Sequence, residues 1–210
     1  MYNPKHFKLD DLSAAQRLMR EHPLALLIGP VQQNKDAVTH APLILRPAGG
    51  AAAGVHDWCL EGHMARANPH QQWMTDGAEL LAVFSGPDAY VSPGFYETPL
   101  NVPTWNYLTV HVSVRVERLD DAAFKDAVLK RLIAQHEPSY AAQWRGLPPD
   151  YQAKMLAAIV GFRLHVQSWE FKAKLSQNRA VGERERMRAQ WAQGSADQQE
   201  LAQWMSLLDL

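Results

Sequence analysis

Trp105-Asn106-Tyr107-Leu108-Thr109-Val110-His111-Val112-Ser113-Val114-Arg115-Val116-Glu117-Arg118 decides the fold class. Leu108, Val110, Val112, Val114 and Val116 alternate with Thr109, His111, Ser113, Arg115 and Glu117. Side chains on a strand point alternately to its two faces, so this spacing predicts one long strand with a single buried face. Upstream, Pro23–Val31 reads as a buried strand. Ala37–Leu45 reads as a second, after a turn at Asn34-Lys35-Asp36, and Ala51–Leu60 as a third, after Pro47-Ala48-Gly49-Gly50. Pro42 lacks the N–H that a ladder needs and predicts an edge or a bulge. Tight turns between the three predict an antiparallel meander. Glu79–Ser85 is a further strand, stopped by Gly86-Pro87 and resumed at Ala89-Tyr90-Val91. Phe162, Leu164 and Val166 alternate again and make 162–171 the last strand.

Helices fall at the start, late middle and end. Asp10 or Asp11 can cap a helix whose apolar face is Leu12, Ala15, Leu18 and Met19, and Ser13 with Gln16 form a capping-box pair that offers a later start. Asp120 or Asp121 caps one running through Gln135, with Phe124, Val128 and Leu132 on one stripe. Another fits Asp150–Ile159, ended by Gly161. Glu183-Arg184-Glu185-Arg186 opens a charged helix that Gly194-Ser195 breaks. Ser195 with Gln198 caps a terminal helix bearing Leu201, Trp204, Met205 and Leu208 on one stripe. Residues 66–76 form a short helix or a wound loop. No βαβ rhythm occurs, so the expected class is mainly β with α: a closed or partly split β-barrel with peripheral helices. The barrel domain is expected over 1–180. Residues 181–210 form a C-terminal helical extension packed on the same domain or on a partner subunit.

Composition narrows the partners. The 210 residues carry a net charge of −1, which does not favour non-specific attraction to nucleic acid. No apolar run approaches the ~20 residues that span a bilayer, and the amino terminus has no hydrophobic signal segment, so a cytoplasmic protein is expected. Cys59, the single cysteine, sits among apolar neighbours and reads as a buried, inert thiol. His40, His56, His63 and His111 match no compact zinc spacing, and no metal site is expected.

Three stretches carry ligand chemistry. Gly62-His63-Met64-Ala65-Arg66-Ala67-Asn68-Pro69 follows a strand. Arg66 offers a planar fork for an anion, and His63 and Asn68 add donors; a capped turn with a surface arginine is the other reading. Val102-Pro103-Thr104-Trp105-Asn106-Tyr107 leads from the long loop, Ser92 to Pro103, into the long strand, where Trp105 and Asn106 offer a flat wall and an amide, or an aromatic plug closes a barrel. Lys172-Ala173-Lys174-Leu175-Ser176-Gln177-Asn178-Arg179 suits an anion or polar ligand, or is a solvated basic turn. His40, in Thr39-His40-Ala41-Pro42-Leu43, is a wall residue or a hydrogen-bonded core histidine. No nucleophile elbow, dinucleotide fingerprint or phosphate loop occurs.

Six segments in order resemble one family. Met1-Tyr-x-Pro-x-His-Phe, Thr39-His-x-Pro-Leu, Gly62-His-Met-Ala-Arg-Ala-Asn-Pro, Gly86-Pro-x-Ala-Tyr-Val-Ser-Pro, Val102-Pro-Thr-Trp-Asn-Tyr and Lys174-Leu-Ser-Gln-Asn-Arg are similar to those of the PaiB-type FMN-binding negative transcriptional regulators. The match runs from residue 1 to about 180. The resemblance implies a split β-barrel of the flavin-reductase and pyridoxamine-phosphate-oxidase kind, a homodimer, and FMN in clefts between subunits. It implies a cofactor site of His40, His63, Met64, Ala65, Arg66, Asn68, Trp105, Asn106, Lys174, Gln177 and Arg179. Within it, Arg66, His63 and Asn68 take the phosphate, Trp105 and Asn106 reach the ring, and the 174–179 run closes the pocket. DNA is the regulator's implied target, although the charge does not support it. A flavin-dependent oxidoreductase using a nicotinamide or another small reductant, and a haem-binding split barrel, are the alternatives.

Overall fold

The alternating stretch forms the longest expected element almost to the residue. In a computed structural model describing residues 1–29, 37–47 and 58–210, it is strand β7, Thr104–Arg118. Asn106, Leu108, Val110, Val112, Val114 and Val116 are all buried along it. The other strands are β1 (Lys8–Leu9), β2 (Leu24–Ile28), β3 (Val38–Pro42), β4 (Ile44–Pro47), β5 (Trp58–Ala65), β6 (Glu79–Val91) and β8 (Ile159–Lys174). The helices are α1 (Leu12–Glu21), α2 (Ala122–His136), α3 (Ala141–Gly146), α4 (Pro149–Ala157), α5 (Val181–Trp191) and α6 (Ala196–Leu207). The sheet order is β3-β2-β6-β7-β8-β5-β4, with β1 on β8, and the registered pairs are antiparallel.

The chain forms two compact units. The first holds Met1–Glu21, Ser85–Val110 and Glu170–Leu210; the second holds His22–Phe84 and His111–Trp169. In the second unit the strand expected over 37–45 is divided: β3 pairs with β2, β4 pairs with β5, and Leu43 alone separates them. The bend follows Pro42, where the backbone cannot donate to a ladder. It hands the chain from one end of the sheet order to the other, and β3 also lies against β5. This curls the sheet, where a flat meander would have stayed open. The expected turn at 34–36, His56 and most of the 51–60 strand lie outside the described residues. Its end does not: β5 continues to Ala65, so Gly62 to Ala65 belong to the strand instead of following it.

Two glycines expected as stops lie inside continuous strands. A Cβ on Gly86, in β6, would stand 2.6 Å from Leu18 Cδ1, so the strand there admits the buried face of α1. A Cβ on Gly161 would stand 2.6 Å from the Leu119 carbonyl oxygen. Gly161 therefore sits in β8 because of a close backbone approach, and α4 ends earlier, at Ala157. The caps follow expectation. Asp11 accepts from the Ala14 N–H, Asp121 accepts from the Phe124 N–H, and Ser195 and Gln198 form a reciprocal capping box. Leu201, Trp204 and Met205 of the α6 stripe are buried within the first unit, where Trp204 meets Phe171 edge to face at 6.2 Å, and Leu208, just past the helix, is part-buried. Cys59 is buried, and burial followed by the nearby Glu61 charge raises its thiol pKa. Among the described residues no helix is long and apolar enough to cross a membrane.

Candidate functional site

In the second unit the 62–69 strip spans the end of β5, which closes at Ala65, and the turn that follows it. Arg66 donates from Nε to the Ala157 carbonyl at 2.8 Å and from Nη2 to the Ile159 carbonyl at 2.9 Å. Its two terminal nitrogens also hold Asp120 in a bidentate pair at 2.9 and 2.7 Å. Lys125, buried on α2, adds a bond to the same carboxylate at 3.1 Å. The Arg66 hydrogen bonds, then those of Lys125, outweigh desolvation and hold the Asp120 pKa at about 2. Four guanidinium N–H groups are thus engaged inside the chain. Asn68 is engaged as well: Nδ2 donates to Thr39 Oγ1 at 3.0 Å, and Oδ1 accepts the His70 N–H to cap a short 3-10 turn over Pro69–Trp73. Met64 packs into the core, Ala65 is exposed at the strand end, and His40 is exposed on β3. His63 is half-buried; its Nδ1 has no partner among the described residues, and burial lowers its pKa.

In the first unit Lys174, Gln177 and Arg179 come together at the end of β8. Gln177 folds back on its own turn, donating to the Ala173 carbonyl and accepting from the Leu175 N–H at 2.8 Å. Ser176, at φ 63°, supplies the left-handed residue that this turn requires. Lys174 bonds Thr104 Oγ1 and lies 6.0 Å over the Phe7 ring. Arg179 stacks 3.9 Å over the Tyr96 ring and donates to Asn101 at 2.6 Å. Lys174, Arg179, Thr104 and Tyr96 line a cavity of about 230 Å³ together with His6, Asn106 and Ser176, and Gln177 lies outside the lining. Burial, then the neighbouring Lys172, pushes the Lys174 pKa below its ordinary value.

Trp105 and Asn106 point to opposite faces of β7, as adjacent strand residues must. Trp105 is 52% exposed, meets Tyr90 edge to face at 6.0 Å, and lines a separate cavity of about 340 Å³ with Asp88 and Tyr107. Asn106 is fully buried and exchanges hydrogen bonds with Ser176 at 3.0 and 3.1 Å. A further cavity of about 1070 Å³ is a groove along α5 and α6 that contains none of the sequence-predicted residues. Sequence reasoning missed Tyr96 and Asp120. Tyr96 lies in the long 92–103 loop, whose length was the available signal; Asp120 is 54 residues from its arginine and gave none.

A curled antiparallel sheet with flanking helices defines a split-barrel fold. The family model described as "Putative FMN-binding domain" matches residues 1–168, and the chain belongs to this PaiB-type FMN-binding family. It is 32% identical over 183 residues, 85% of this chain and 83% of the relative, to Protease synthase and sporulation protein PAI 2 of Bacillus subtilis. It is 24% identical over 209 residues, 83% of each chain, to an uncharacterised protein of Emericella nidulans. The flavocytochrome Anf3 of Azotobacter vinelandii superposes with a TM-score of 0.59 at 17% identity, over 80% of this chain and 69% of that one. The FAD and heme binding protein of Mycobacterium smegmatis gives 0.54 at 18%, over 90% and 80%. Both show the split-barrel fold. FMN is the cofactor of this domain.

Proposed function

We propose that the protein is an FMN-binding homodimer of the cytoplasm that takes part in negative regulation of transcription. The family match over residues 1–168 carries the reading. FMN, when bound, supplies one- and two-electron redox chemistry; the chain's residues hold and orient it. The flavin needs donors for a dianion and a flat wall for its ring. In the second unit the proposed contacts are His40 and the His63–Asn68 strip. There Arg66 meets a phosphate with its remaining N–H, or by releasing Asp120. In the first unit they are Trp105 with Tyr90 as a wall, Asn106, and Lys174, Gln177 and Arg179 as polar partners. The regulatory role rests on the resemblance and on the relation to PAI 2. With a net charge of −1, any DNA contact depends on a local basic surface.

The test is the absorbance spectrum of the purified protein, followed by FMN titration with flavin-fluorescence quenching. A flavin doublet and saturable quenching are expected; a colourless protein that does not quench FMN refutes the cofactor assignment. Arg66→Ala should weaken FMN roughly tenfold if the strip receives the phosphate. A haem reading is favoured by two fold neighbours, one a flavocytochrome and one binding FAD and heme. A Soret band in the same spectrum selects it.

A further inference from the structure

We infer that the cavity at the end of β8 is a receptor for the phosphate or carboxylate group of a small organic molecule. Three observations meet there. Lys174 and Arg179 both line it, no carboxylate lines it, and neither cation pairs with a carboxylate among the described residues. Lys172, two residues before Lys174 on the same strand and outside the cavity lining, is 7% exposed and, among the described residues, is answered only by the Tyr2 carbonyl at 3.0 Å and by the rings of Tyr2 and Tyr107. Cations drawn from water without a counter-charge are costly, and an anion removes that cost. Tyr96, 8% exposed, also lines the cavity; its hydroxyl is buried without a partner among the described residues. A buried hydroxyl left unbonded is unfavourable in the empty protein and becomes a ready donor once an acceptor arrives.

Size sets the ligand class. About 230 Å³ is the room of seven or eight waters, enough for an anionic head and a short stem. Cation forks and a phenol donor select oxygen anions and repel metal ions. The anion has two sources: the phosphate end of FMN, which rests on the flavin reading above but moves the phosphate from the Arg66 strip to this cavity, or a separate small metabolite, which does not rest on it.

The experiment uses the full chain with inorganic phosphate, FMN and riboflavin as probes, and the variants Lys174→Met and Tyr96→Phe. Phosphate is expected to raise the thermal midpoint of the wild type, and Lys174→Met should abolish the rise. Without ligand, Tyr96→Phe should melt at the wild-type temperature or above, yet need roughly tenfold more phosphate for the same shift. That combination is not produced by a residue that merely packs. If the head group is the flavin phosphate, FMN binds the wild type about tenfold or more tightly than riboflavin, and Lys174→Met erases the preference. If it is a separate metabolite, the preference survives in Lys174→Met while the phosphate response disappears. Both results support the receptor and name its source. Equal phosphate responses in wild type and both variants overturn it. So does a wild type that ignores phosphate while its FMN preference is untouched by either variant. Failure of both FMN and riboflavin to bind the wild type refutes the flavin reading alone, because the phosphate arm still decides the cavity.

Discussion

The basic residues of the second unit and those at the end of β8 keep different company. Glu61, 3% exposed, faces Arg131 at 2.7 Å, Arg163 at 3.0 Å and Arg46 at 3.9 Å. Asp120 likewise gathers Arg66, Lys125 and, at 3.8 Å, Arg118. Each carboxylate knits strands and helices distant in sequence. Lys172, Lys174 and Arg179 have instead a carbonyl, a hydroxyl, an amide and aromatic faces. A cation whose charge is already answered holds a fold together. One answered only by dipoles and rings keeps its attraction for an anion.

Substitutions can break this contrast. Glu61→Ala should have the largest effect, about 3 kcal/mol by urea denaturation, because it removes a buried carboxylate from among three guanidinium groups, of which Arg163 keeps a second partner in Glu117 at 3.1 Å. A neutral result would mean the arginines simply turn to solvent. Asp120→Asn should cost about 2 kcal/mol, chiefly by leaving the buried Lys125 ammonium unpaired; the carboxylate is one-third exposed, which discounts the rest. Because the folded pKa of Asp120, about 2, lies below its ordinary 3.8, its contribution is complete above about pH 4 and is lost as pH falls through 2. Acid denaturation of Asp120→Asn should lack that component.

A smaller effect concerns the buried histidines. His70 is fully buried with neither ring nitrogen partnered among the described residues, and burial lowers its pKa, as it does for His63. The unfolded chain therefore takes up protons first as pH falls through 6.5, so stability declines on acidification below about pH 7.5. His70→Leu should flatten the fall in thermal midpoint over that range. Lys174→Met should change stability least, by about 0.5 kcal/mol or less. A loss comparable to that of Glu61→Ala would show that the β8 cations are structural after all, and the contrast would fail.

Local signals predicted local structure well. The β7 alternation, the Asp121 cap and the Ser195–Gln198 box each depend on residues within a few positions of one another. Punctuation was misleading where its cause was remote. Gly86 and Gly161 read as stops, yet each is a glycine because another part of the chain approaches within van der Waals distance. At the candidate site the residue types around 62–69 and 174–179 were visible, but their engagement was not. Arg66 and Arg179 look alike in sequence. Asp120 and Asn101, remote in sequence from the arginines they meet, make one a brace and leave the other beside a cavity.

The chain by itself determined the strand faces, the caps and the membership implied by six ordered motifs, because periodicity and short spacing are written along the backbone. Only the tertiary structure decided where the barrel strand bends after Pro42 and which cations are neutralised. It also left the Tyr96 hydroxyl buried without a described partner. Those outcomes depend on distances between residues tens of positions apart, and such distances exist only once the sheet has curled and its two ends have been brought near each other.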